Sequence, residues 1–136
     1  MNVIDDLYGR VVFQVTEVEF KDFLEKLKSM KSREIEDIKQ KIDKYEQKRR
    51  AEEAMYQSLS SIRKFFTGRP PIHHQAVEYM VYVKDRFKKI EMIKRSMGDI
   101  DQVLDELKEN SGRDDAVLSP ALIEEIQLLK EGRASI

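Results

Sequence analysis

Residues 64–74 read KFFTGRPPIHH, and how this stretch is read decides the fold. Between Gly9 and Gly68 there is no glycine, and no proline precedes Pro70. Gly68 suits the left-handed position just past a helix end. Pro70 and Pro71 cannot continue a helical hydrogen-bond ladder, yet proline is well placed in the first turn of a new one. The stretch therefore reads as a turn, 67–71, between two long helices.

Upstream, Thr16-x-x-Glu19 spells a capping box and opens the first helix, expected over 17–66. Its apolar seam runs Phe20, Leu24, Leu27, Ile35, Ile38, Ile42 and Tyr45, then Tyr56, Leu59, Ile62 and Phe66, mostly at spacings of three and four. Lys31 falls in the gap between Leu27 and Ile35, flanked by Ser29 and Ser32, and marks a site for a kink. Arg49 and Glu52 interrupt the seam. Either these polar residues set register, or the helix turns Ala51, Ala54 and Met55 inward there.

Downstream, a second long helix is expected over 72–109. Its seam is Val77, Met80, Phe87, Ile90, Ile93, Met97, Ile100, Leu104 and Leu107, widened by Val81 and Val83. The seam keeps phase across Gly98, which favours one continuous helix. Residues 111–118 read as a polar linker. Ser119-Pro120, an N-cap followed by an N1 proline, opens a short C-terminal helix over 120–131. Residues 1–15 are the least regular segment. Val11-Val12-Phe13-Gln14-Val15 has strand character, but no other segment offers it an obvious partner, so a short helix and a linker are expected. The fold class is thus all-α. A long antiparallel helical hairpin, coiled-coil-like, carries short terminal elements at its open end, in a single domain, 1–136. So slender a hairpin has little core per residue, and a homodimer is its natural remedy.

Composition narrows the function. The chain has 136 residues and no cysteine, which rules out disulfides and thiolate chemistry. No apolar run has the length of a membrane span, and the first residues do not resemble a signal peptide. The expected setting is cytoplasmic and not membrane-bound. The formal net charge is −1, but the charge is segregated. Residues 1–38 hold six Lys/Arg against nine Asp/Glu, residues 39–95 fifteen against seven, and residues 96–136 four against ten. Folded at Gly68, the basic arms lie together in the tip half and the acidic segments meet at the open end.

The basic half supplies the candidate site residues. Lys44, Lys48, Arg49 and Arg50 on the first helix, and Lys84, Arg86, Lys88 and Lys89 on the second, form a basic face. Arg63, Lys64, Phe65, Arg69, His73 and His74 form a candidate docking tip in which an apolar ring sits among cations. Such a surface suits a protein partner with an acidic face, with nucleic acid as the alternative. Interspersed acids, among them Asp43, Glu46, Asp85 and Glu91, weigh against dedicated phosphate binding.

No catalytic set, metal site or cofactor motif stands out. His73 and His74 diverge by about 100° on a helix and have no further histidine or cysteine to complete a metal site. The loop lacks phosphate-cradling glycine spacing. Glu34, Glu36, Asp37, Glu124 and Glu125 are expected as a solvated face. The expected function is a non-enzymatic protein-interaction module of adaptor, regulator or chaperone type.

Overall fold

The structure, a computed structural model, describes residues 1–58 and 77–132. The turn expected at 67–71 lies outside these residues. The described chain is mostly helical, but it also carries a three-stranded sheet, which corrects the all-α expectation. The elements are β1 (Asn2–Asp5), β2 (Val11–Gln14), α1 (Glu17–Ser58), a π-helical turn (Met80–Lys84), α2 (Asp85–Glu109), β3 (Asp115–Leu118) and α3 (Pro120–Lys130).

The sheet order is β2-β1-β3. β1 is the central strand. It pairs antiparallel with β2, Val3 opposite Phe13, and parallel with β3, Val3 opposite Ala116. This is the partner that the N-terminal segment lacked in the sequence. It comes from the stretch read as the linker 111–118. Strand alternation places Val3, Asp5, Ala116 and Leu118 on the buried face, while Val117 points out. A polar ladder crosses the outer face: Gln14 Nε2 donates to Asn2 Oδ1 at 2.9 Å, and Asn2 Nδ2 donates to Asp115 Oδ1 at 3.0 Å.

Gly9 closes the β1–β2 turn. Its φ of +67° is a conformation that side chains with a Cβ rarely adopt, and its amide donates to the Asp5 carbonyl at 3.0 Å. The Asp5 carboxylate organises this turn from the other side. It accepts the amides of Tyr8 and, at 3.3 Å, Arg10. The Tyr8 amide above all, helped by the amides of Arg10, Gly9 and Leu7, holds the Asp5 carboxyl below its ordinary value of 3.8, against the opposing pull of burial. A depressed carboxyl stabilises the fold fully above the unfolded-state value, and that stabilisation is lost as pH falls through the folded value. Asp5→Ala is therefore expected to be less stable than the parent chain at pH 7. The difference should shrink as the pH falls below about 3.9, which urea denaturation at neutral and acidic pH will measure.

The Ser119 cap forms, and of the capping box the Thr16 half forms. The Glu19 amide donates to Thr16 Oγ1 at 3.1 Å, and the Leu122 amide donates to Ser119 Oγ at 3.3 Å with Pro120 in the first turn. The chain forms two compact units, Met1–Arg33 with Lys94–Ile136, and Glu34–Ile93.

In the first unit, Val3, Val15, Phe20, Leu24, Leu27 and Ile100 pack in one apolar cluster with Ala116, Leu118 and the α3 residues Leu122, Ile123 and Ile126. The helix α1 runs without a break past Lys31. The Lys31 side chain, only 13% exposed, pairs with Glu125 on α3, with Nζ 3.1 Å from Oε1 and 2.9 Å from Oε2. Glu125 had been expected on a solvated face, whereas Glu124 is exposed. The seam gap at Lys31 is thus an ion pair where an apolar contact would otherwise stand. Losing one partner would leave a half-buried charge uncompensated.

In the second unit, Ile35, Ile38, Ile42, Val83, Ile90 and Ile93 are buried. The π turn changes the phase of the second helix. Val83 faces inward, while Met80 and Phe87, which the spacing placed on the seam, are 42% and 50% exposed.

Candidate functional site

The second unit gathers several cations around one cleft. Along α1, Lys41, Lys44, Lys48 and Glu52 recur at spacings of three and four, so one face carries them all. Seven residues of helix rise about 10 Å, so Lys41 to Lys48 forms a short row of charge. Tyr45 and Arg49 lie beside this row. Buried Ile35, Ile38 and Ile42 orient it by fixing a stripe about 100° away around the helix.

The second helix brings Tyr82 and Arg86 to the same place. The Tyr45 and Tyr82 rings stack at 5.1 Å between centroids with 15° between planes. The Arg49 guanidinium lies 6.0 Å from the Tyr45 centroid, and that of Arg86 lies 5.2 Å from the Tyr82 centroid. These residues, with Lys41, Lys44, Lys48, Glu52 and Glu78, line an open cleft of about 380 Å³. A second cleft of about 360 Å³ shares Tyr45 and Arg49 and adds Glu46, Arg50, Glu53 and Tyr79.

Ion pairing separates the cations. Lys48 reaches Glu52 at 4.0 Å, a loose and exposed contact worth little. Lys89 pairs with Glu34 at 3.6 Å. Lys41, Lys44, Arg49 and Arg86 have no carboxylate within ion-pair distance among the described residues. A guanidinium resting on a ring keeps its in-plane N–H edge available, and that edge matches a carboxylate or a phosphate in bidentate geometry.

No protein-family model, curated protein or solved structure matches this chain. Of the eight residues of the expected basic face, the structure brings Lys44, Lys48, Arg49 and Arg86 to one cleft. Arg50 lines its neighbour, Lys89 is paired, and Lys84 and Lys88 line neither cleft. The tip residues Arg63, Lys64, Phe65, Arg69, His73 and His74 lie outside the described residues. Of the two readings of the seam interruption, the inward turn of the alanine face is not seen. Ala51, Ala54 and Met55 are exposed, and Arg49 and Glu52 face the cleft instead of an interior. The sequence reading missed Tyr82 altogether and assigned Tyr45 to the core. Only the two tyrosines' interleaving with the basic residues could have signalled them.

Among the described residues, no cluster of His, Cys, Asp and Glu could hold a metal ion. Nor is any described helix long and apolar enough to cross a membrane.

Proposed function

We propose that the chain is a non-enzymatic protein-interaction module of adaptor, regulator or chaperone type, built on a self-associating helical hairpin and working in the cytoplasm. Two contacts of the second unit support the hairpin. Glu34 meets Lys89 and Tyr45 meets Tyr82, so position falls on one helix as it rises on the other. The observation that carries the interaction reading is the exposed apolar surface of the second helix. Val77, Tyr79, Met80, Val81 and Phe87 are all exposed within eleven residues, on a helix whose inward position in this stretch belongs to Val83. Single exposed apolar residues are ordinary, whereas a run of them marks a contact surface.

Nucleic acid is the competing reading, and the unpaired cations of the cleft favour it. Phosphate contacts strengthen as salt falls, so low salt is where such binding must appear. Light scattering is expected to find a dimer, and a fluorescent single-stranded oligonucleotide is expected not to bind at about 50 mM salt. A monomer at every concentration removes self-association. Tight oligonucleotide binding moves the reading to nucleic acid.

A further inference from the structure

We infer that the cleft around Tyr45 and Tyr82 is a docking site for an acidic amphipathic helix of a partner protein. This deepens the interaction reading above and rests on it. The occupant follows from charge and from what each wall can still bind. Four cations of the cleft, Lys41, Lys44, Arg49 and Arg86, have no carboxylate within ion-pair distance among the described residues and can take an anionic complement. On α1, Lys41, Lys44 and Lys48 recur at the helical repeat, with Arg49 beside them. Carboxylates at i, i+3 or i+4, and i+7 on a second helix repeat at the same pitch, about 5.4 Å per turn, and meet them in register. The tyrosine pair provides the apolar floor between the charges. Tyr82 is exposed, and the apolar surface at Tyr79, Met80 and Val81 continues along the same helix for the partner's apolar stripe.

Two features of the cleft disfavour a nucleic-acid strand. Glu52 and Glu78 share the walls with the cations, and Glu46 and Glu53 line the neighbouring cleft, so a continuous run of phosphates would meet four carboxylates. The tyrosine rings face each other and carry guanidiniums, so their faces are already taken where a base would stack. A helix avoids both obstacles, because its charge is placed residue by residue. Its acids can meet the lysines while a basic or amide residue meets Glu52.

The test is fluorescence polarisation with a labelled 18-residue amphipathic peptide bearing glutamates at i, i+4 and i+7. Its comparators are a peptide of the same composition with the spacing scrambled and a single-stranded oligonucleotide. The patterned peptide is expected to bind tightest at about 50 mM salt and to weaken about tenfold by 300 mM. Arg49→Glu with Arg86→Glu should weaken it by about 30-fold or more. Lys84→Glu with Lys88→Glu makes the same charge change away from the cleft and should cost less than about threefold. If the arginine pair variant fails to fold by circular dichroism, Lys41→Glu with Lys44→Glu takes its place, since both side chains are exposed. Equal losses in the two charge reversals, equal binding of the scrambled peptide, or tighter binding of the oligonucleotide would each overturn the inference. A chain that dimerises but binds no peptide also overturns it while leaving self-association standing. Failure of both removes the interaction reading itself.

Discussion

Replacing Phe20 by alanine is expected to cost about 3–5 kcal/mol of stability, the largest loss from any single truncation among the described residues. Phe20 is fully buried and lies in the first turn of α1, immediately after the Thr16 cap. Its cluster draws Val3 from β1, Leu118 from β3 and Ile126 from α3, elements from both ends of the sequence. The ring therefore stands where the first unit's sheet and helices converge. Deleting it removes the transfer energy of a large apolar side chain and leaves a cavity that rigid neighbours fill poorly. Small domains hold only about 5–15 kcal/mol in total, so a loss of this size takes a large share of what is available. Urea denaturation followed by circular dichroism should show the midpoint falling sharply. Phe20→Leu keeps most of the volume and should cost less than about 1.5 kcal/mol. If Phe20→Ala and Phe20→Leu lose the same amount, the site is not a filled core position.

What could be read from the sequence follows from how local each determinant is. Thr16 and Ser119-Pro120 act over three residues, and their hydrogen bonds are found where the spelling placed them. The seam from Phe20 to Ile42 needs only helical periodicity, and each apolar position named on it is buried. The strands are a different matter. DAVL is four residues long, too short for alternation to be seen, and its parallel partner β1 lies 113 positions away. Without that partner, Val3 and Ile4 look helical. Lys31 was misread for the same reason, since its partner Glu125 lies 94 residues further on. The cleft depended on a phase shift. Periodicity assumes 3.6 residues per turn throughout, and the π turn at Met80–Lys84 breaks that assumption where Tyr82 and Arg86 are aimed. Charge segregation could be counted from the sequence. Which cations remain unpaired depended on Glu34 reaching Lys89 and leaving Arg49 and Arg86 without an acid.

The second large effect is expected from Val81→Lys and Phe87→Lys: for the self-association proposed above, each should raise the dissociation constant by about 100-fold. These side chains are 51% and 50% exposed, so in the monomer their replacement touches little packing, and surface changes of this kind usually stay within about 0.5 kcal/mol. In a two-fold dimer that covers them the arithmetic differs. Each substitution occurs twice and, because only about half of each side chain is left to cover, forfeits about 0.8–1.5 kcal/mol of apolar burial per copy. Two-fold symmetry also brings two copies of the new ammonium group into a face that was apolar, and each must be desolvated there. Measuring thermal stability beside light scattering separates three roles. A variant that loses the dimer and keeps its melting temperature at low protein concentration identifies an interface. One that loses both identifies a residue that the monomer itself packs. One that loses neither places self-association on another surface, and the exposed run of the second helix then serves only the acidic partner.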